Sequence, residues 1–236
     1  LDKTLGDYIP ERVNGTPYAQ LTLKEILAHR AGLKSWIPFY KRTQLEGNSL
    51  NPLYYSNIPT GDFNTLVAKG IYIKDSYADS MKMQITKSTL GAKKYLYSDL
   101  GYYFIKEIIE KQNGLSLEQL LEREIYAKMG LYHTGFNPYL KWNVEGIAPT
   151  EDDRIYRKQL VRGYVHDPGA AMIGGVGGHA GLFSNATELA TLFQMILNGG
   201  DYAGVRYLDK RVVNNYTKAQ YAGNRRGAGF DKPVLG

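Results

Sequence analysis

The chain has 236 residues, 43% hydrophobic and 22% charged, with 29 Lys+Arg against 23 Asp+Glu for a formal net charge of +6. This is a globular composition, long enough for one sizeable core, and it excludes disorder as the default. The chain holds no cysteine, which removes disulfides, thiolate nucleophiles and cysteine-bound zinc and fits either side of a bacterial inner membrane. It shows no run of about eighteen apolar residues and no basic-then-apolar leader, so it reads as neither a membrane span nor a signal peptide, while Leu1 in place of Met points to a processed or cut chain.

Leu1 to Pro10 reads as a short polar lead ending in a turn. Thr22-Leu23-Lys24-Glu25 is a capping box, which predicts a helix with Leu23, Ile26 and Leu27 inward and Gly32 as its stop. From Trp36 to Pro59 the pattern breaks into Pro, Asn, Gly and aromatic residues, so a long surface segment is expected whose rings pack on something. Phe63 to Tyr72 reads as another helix.

Tyr95-Leu96-Tyr97-Ser98-Asp99-Leu100-Gly101-Tyr102 then places a phenol, a hydroxyl and a carboxylate where a helix begins. Unpaired backbone N–H groups and the positive end of the dipole favour negative charge there. Ser98 and Asp99 are also ordinary N-cap residues, so on local chemistry alone this is a helix start. Phe104, Ile105, Ile108 and Ile109 follow with helical spacing, and Asn113-Gly114 predicts the left-handed stop. Ser116-Leu117-Glu118-Gln119 is a second capping box, with Leu117, Leu120, Leu121 and Ile125 as the apolar stripe up to Met129-Gly130; two helices joined this tightly should pack as a hairpin.

Between Trp142 and Val165 the helical period disappears, and Gln159 to Val165 alternates as short strands or a hairpin would. Asn185 and Glu188 open a helix expected to hold Leu189, Leu192, Phe193, Ile196 and Leu197 inside, and Asp209 caps a last short helix through Val212, Val213 and Tyr216. No internal repeat is present.

Several motifs have plainer readings. Gly174-Gly175-Val176-Gly177-Gly178 lacks the Lys-Ser/Thr of a phosphate loop and reads as a tight backbone path. His29, His133, His166 and His179 lack metal-ligand spacing, so no metal site is expected, and His29 and His166 read as structural. No Gly-x-Ser-x-Gly elbow occurs and no His/Asp pair stands out for a triad. Arg154, Arg157, Lys158, Arg162 and the pair Arg225-Arg226 cluster without any nucleic-acid module and read as a solvated face.

The order of the segments resembles the serine β-lactamase family: class C β-lactamases with related D,D-peptidases and esterases. Leu21 to Leu33 is similar to that family's helix ending in His-Thr-Ser-Gly-Leu. Tyr97-Ser98-Asp99 with Ile108-Ile109-Glu110-Lys111, and then Met129-Gly130-Leu131-Tyr132-His133-Thr134, resemble its Tyr-Ser-Asn helix and Gly-Met-x-x-Thr turn. Gly178 to Ser184 with Glu188-Leu189-Ala190 resembles its Gly-Gly-Leu-x-Ser segment and Asp-Leu-Ala helix. Tyr55-Ser56-Asn57 copies the tyrosine tripeptide, but Ile58-Pro59 blocks a following helix. His179-Ala180-Gly181 matches the His-x-Gly that some relatives use in place of Lys-Thr-Gly, but lies too early in the order.

The resemblance implies an α+β, β-lactamase/D,D-peptidase-like fold, present mainly as its helical lobe with short strands. It also implies an acyl-serine hydrolase of an amide or ester (a β-lactam, a D-amino-acid peptide or a carboxylic ester), with no cofactor and no metal. Tyr97 takes the catalytic general acid/base position and Asp99 the substrate-binding position where the family usually has Asn; a carboxylate only accepts hydrogen bonds, which shifts substrate preference. A small-molecule or peptidoglycan-peptide substrate and a periplasmic or envelope location follow from the same resemblance.

No Ser-x-x-Lys or Lys-Thr-Gly occurs in the sequence. The expectation is therefore a single incomplete domain over residues 1–236, lacking the nucleophile helix before residue 1 and the terminal strands after residue 236, inactive as given and prone to self-association through uncovered apolar surface. A non-catalytic module binding peptidoglycan or a partner protein is the alternative. An unrelated helical domain, which would bury Tyr97 away from any cleft, is the third reading.

Overall fold

The computed structural model describes residues 1–233. Leu5–Tyr8 (α1) and Pro10–Val13 (α2) are short helices, the first opened by a Thr4/Asp7 capping box and the second by Pro10 at its first turn. Leu5, Ile9 and Val13 recur at helical spacing and are fully buried, so the stretch read as a polar lead is core. The charged residues between them hid that spacing.

Leu23–Leu27 (α3) carries the expected box, Thr22 accepting from the Glu25 N–H and Glu25 from the Thr22 N–H. It ends at Ala28 rather than Gly32, because His29 takes a left-handed φ of 55° and turns the chain. The aromatic segment after Trp36 runs through 3-10 turns at Phe39–Thr43 and Glu46–Asn48, and Tyr40 and Tyr55 pack on Tyr156 as its composition required.

Phe63 to Tyr72 is not a helix. Tyr55–Ser56 (β1), Thr65–Ala68 (β2) and Ile71–Ile73 (β3) form an antiparallel sheet in the order β1-β3-β2. Lys69-Gly70 makes the tight connection, with Gly70 at φ 68°, and the β-branched residues on either side prefer a pleated surface. Tyr77–Thr86 (α4), whose N-cap Ser76 makes no side-chain capping bond, buries Tyr77, Met81 and Ile85 one turn apart.

Leu100–Asn113 (α5) buries Leu100, Tyr103, Phe104 and Ile108 and stops at Gly114, φ 66°. Gly101 lets it approach α3, since a Cβ there would stand 2.4 Å from Ile26 Cγ2. Leu117–Leu121 (α6), opened by the Ser116/Gln119 box, passes through a π-helical turn into Ala127–Met129 (α7) and closes at Gly130, φ 70°. Ile109 and Leu121 pack on a small cluster of Leu117, Phe136 and Val176, the contact a helical hairpin requires.

Pro149–Asp153 (β4) and Gln159–Arg162 (β5) pair antiparallel, as the alternation implied. Their connection is organised by Arg157, whose side chain is fully buried against Asp153 at 2.8 Å and Glu151 at 2.6 Å. This corrects the solvated-face reading for Arg157; Arg154, with its side chain 81% exposed, fits it. Arg226 departs from it too, its side chain being 12% exposed.

Pro168–Ala171 (α8) precedes the glycine stretch, where Gly174 and Gly175 take φ of 84° and 81°. A Cβ on Gly178 would meet the Tyr102 carbonyl at 2.4 Å, the tight backbone path expected. Ala186–Leu197 (α9) is capped by Asn185, which accepts from the Glu188 N–H. Asp201–Tyr202 (β6) and Val205–Arg206 (β7) form a small hairpin, and Lys210–Thr217 (α10) starts at its Asp209 cap.

The inward face expected on α9 is overturned at three of its five positions, Leu192 and Ile196 being half-buried. Leu189, Phe193 and Leu197 are 40%, 51% and 79% exposed, and Met195 is its buried residue. Periodicity identifies an apolar face but not whether anything covers it. The main core lies instead between α1, α2, α4, α5 and the three-stranded sheet. Among the described residues no helix is long and apolar enough to cross a membrane.

Candidate active site

The Tyr97 stretch is held in place by the segment that leaves α3. Leu96 N–H donates to the His29 carbonyl at 2.9 Å and Asp99 N–H to the Ser35 carbonyl at 3.0 Å. Ser98 N–H donates to His29 Nδ1 at 3.1 Å, which leaves the ring proton on Nε2 when the imidazole is neutral. His29 is buried, and its pKa falls to about 4, chiefly through burial and then through the nearby Arg226 charge. It is structural, as expected, and a fixed floor for the Tyr97 ring, whose centroid lies 4.4 Å away.

Tyr97 is 49% exposed, whereas Tyr55 is 7% exposed and spends its hydroxyl on Thr43 and Tyr156. Tyr55, whose tripeptide is set aside for its following proline, is thus a core residue. The Arg226 guanidinium stands over the Tyr97 ring, 5.3 Å from its centroid, a favourable cation–π placement. Burial and the Asp99 charge nevertheless raise the Tyr97 pKa above its ordinary value, with Arg226 pulling the other way.

The division of labour between Ser98 and Asp99 was not legible locally. Ser98 Oγ accepts from the Leu100 N–H at 3.2 Å and donates to the Lys34 carbonyl at 2.6 Å, while Asp99, at the N-cap position, makes no side-chain capping bond. The hydroxyl does the capping, and the carboxylate is left for a cavity between α5 and α8.

That cavity contains the His/Asp pair that no sequence pattern revealed. His179 Nε2 lies 3.0 Å from Asp167 Oδ1, its side chain 3% exposed, and its ring stacks on Tyr103 at 4.5 Å. Asp167 also caps α8, accepting from the Ala170 N–H at 2.6 Å. Burial would raise Asp167, but the hydrogen bond and charge of His179 outweigh it and the pKa is lowered. Asp99 moves in the opposite direction, raised by burial and then by Asp167, with His179 opposing. His166, the histidine that stood next to Asp167 in sequence, is 67% exposed at its side chain.

Two further motif segments meet outside the cavity. Glu188 of α9 accepts from the His133 N–H at 2.9 Å and from Thr134 Oγ1 at 2.7 Å, tying the turn after α7 to the start of α9. Arg226, beside Tyr97, and Asp167, His179 and Tyr103, on the cavity that Asp99 borders, are the neighbours that sequence reasoning missed. His179-Ala180-Gly181 was the available signal, set aside for its position in the motif order.

Comparison with known proteins gives a consistent result. A family model described as Beta-lactamase matches residues 1–234. A protein of Escherichia coli (strain K12), provisionally named a D-alanyl-D-alanine carboxypeptidase, is 35% identical over 183 residues, covering 71% of this chain and 42% of that protein. The chain therefore spans less than half the length of that relative. Among solved structures, the octameric penicillin-binding protein homologue of Pyrococcus abyssi superposes with a TM-score of 0.60 at 17% identity, covering 97% of this chain and 47% of the other. A D-stereospecific amidohydrolase of Streptomyces gives 0.59 at 18% identity, covering 92% and 57%. At these identities the structural likeness establishes the α+β fold alone.

Proposed function

Because this chain belongs to the beta-lactamase family, we propose that it forms part of a serine hydrolase that cleaves an amide or ester through an acyl-serine intermediate, with Tyr97 as general acid/base and Asp99 in contact with the substrate. A serine hydroxyl needs a neighbouring group to take its proton and return it to the leaving group, and a phenol held at a helix start can do so when cations favour its anion. The observation that carries this reading is the exposed Tyr97 ring beside a carboxylate released from capping duty. The curated relatives' name supports a D-amino-acid peptide as substrate and an envelope location.

The sequence contains no Ser-x-x-Lys, so the nucleophile belongs to a part of the protein outside these residues. Incubating the full-length protein with an activated ester or a penicillin is expected to give a stoichiometric acyl adduct by mass spectrometry, on a serine outside the 236 residues. The same reagents should leave the isolated chain unmodified, and an adduct on the chain alone would refute the assignment. The missing nucleophile also favours a second reading, a non-catalytic module of this fold that binds peptidoglycan or a partner protein; absence of an adduct from the full-length protein supports it.

The exposed Leu189, Phe193 and Leu197 of α9 support a further part of the reading, that the isolated chain self-associates through this face. Light scattering should report a mass above that of the monomer, reduced by Phe193→Glu. A wild-type monomer at all concentrations would rule this out.

A further inference from the structure

The Arg226 guanidinium is delivered to the Tyr97 ring by a segment fastened on both sides. The Gly229 N–H donates to the Leu27 carbonyl of α3 at 3.0 Å, and the Ala228 N–H to the Tyr216 carbonyl of α10 at 2.7 Å. Glycine at position 227 permits that approach, since a Cβ there would stand 2.4 Å from the Tyr216 carbonyl oxygen. The Arg226 N–H is itself taken by Asn224 Oδ1 at 3.0 Å. So held, the guanidinium lies 5.3 Å from the Tyr97 ring centroid and 5.8 Å from that of Tyr95.

Its charge is not consumed by an ion pair. Asp231 accepts from Arg225 through both carboxylate oxygens, at 2.7 and 2.9 Å, and from Arg226 through one, at 3.2 Å. Two guanidiniums therefore share one carboxylate, and the shorter, two-pronged contact belongs to Arg225. The Arg226 side chain is only 12% exposed, and its buried Nε finds no acceptor among the described residues. A charge so enclosed is screened weakly by solvent. The other groups facing the phenol are Asp99, whose charge favours the neutral form, the rings of Tyr95 and Tyr102, and His29, kept uncharged at neutral pH by its pKa of about 4. Arg226 is the cation among them.

We propose that Arg226 is a positioning residue for Tyr97, holding its ring against His29 and supplying the positive charge toward which the phenol gives up its proton. The guanidinium opposes Asp99, and it does so without competing for the proton being moved. That this proton travels to and from the reacting groups rests on the acyl-serine reading; the hold on the phenol does not.

The test uses the full-length protein with its tyrosines isotopically labelled at Cζ, whose NMR signal follows phenol ionisation, the Tyr97 signal being identified by its loss in Tyr97→Phe. Arg226→Met keeps an apolar chain over the ring and is expected to move the Tyr97 ionisation upward by about half a pH unit or more. Arg226→Lys should restore most of it, because the charge returns without the planar stack. Arg211→Met, which removes an arginine of α10 whose side chain is 93% exposed, should leave it in place. In parallel, kcat for an activated ester should fall about three- to tenfold in Arg226→Met at neutral pH, and its pH dependence should move with the phenol while KM stays nearly constant. Urea unfolding checks the fold, and Arg226→Gln is the second charge-removing variant should methionine disturb it. An unmoved Tyr97 ionisation, an equal shift in Arg211→Met, or a shift that Arg226→Lys leaves as large would overturn the proposal. A shifted ionisation with unchanged kcat would uphold the action of Arg226 on the phenol and refute proton transfer by Tyr97, so the two conclusions can fail separately.

Discussion

Tyr97→Phe in the full-length protein is expected to depress turnover of an activated ester or amide by about 10²–10⁴-fold, the usual worth of a positioned proton-transfer group. Stability should hardly change. The ring is 49% exposed, and phenylalanine retains its contact with His29 at 4.4 Å. The direction of the Tyr97 pKa refines what the phenol can do. Burial and Asp99 hold it protonated at neutral pH despite Arg226, so within this chain it is poised as an acid. Acting as a base requires further positive charge close to its oxygen, which the lysine of a Ser-x-x-Lys helix would supply in the family's arrangement. Measuring kcat against pH for wild type and variant checks this, and unchanged turnover would return Tyr97-Ser98-Asp99 to a helix start.

Arg157→Met is expected to give the largest loss of stability of any single charged-to-apolar change considered, about 3–5 kcal/mol in urea unfolding. The Arg157 side chain is fully buried, paired with Asp153 and Glu151 and donating to the carbonyls of Val165 and His166 at 2.6 and 2.8 Å. Removing it takes the counter-charge from the Asp153 carboxylate, itself 3% exposed, which keeps only its bonds from the backbone N–H groups of Ile155, Tyr156 and Arg157, and frees those carbonyls next to Asp167. The effect should therefore reach the cavity through the loop that carries Asp167. Arg154→Met is the control, since that side chain is 81% exposed and surface changes of this kind usually stay within about 0.5 kcal/mol. Equal losses for the two variants would show that the loop draws nothing from the buried pair.

The two arginines also show where sequence reading fails. Arg154 and Arg157 lie in one basic run, and nothing local distinguishes the exposed one from the buried one. The difference arises because the connection between β4 and β5 folds over Arg157 and turns carbonyls toward it. The same applies to α9, whose apolar face is correctly spaced but uncovered. The short β2–β3 hairpin was missed because its segment is brief and apolar, where helix and strand periods are hard to separate and a single left-handed glycine decides.

Around the proposed site, the sequence singled out Tyr97 and Asp99 and offered both Ser98 and Asp99 as caps; only the structure gives the capping to Ser98. Asp167 and His179 sit in separate segments, and their pairing depends on the tight glycine path between them. His166 drew attention by adjacency, although its side chain points into solvent.

The sequence by itself determined the capping boxes, the left-handed glycine stops, the α5 helix with Tyr97 before it, and the family. Those signals depend on interactions within about four residues or on the order of motifs along the chain. The tertiary structure alone decided that Asp99, Tyr103, Asp167 and His179 share one small cavity, that Arg226 covers Tyr97, and that Arg157 is buried. Each of these brings together groups that are distant in the chain, and packing rather than local propensity determines whether a charge meets a partner, a ring or water.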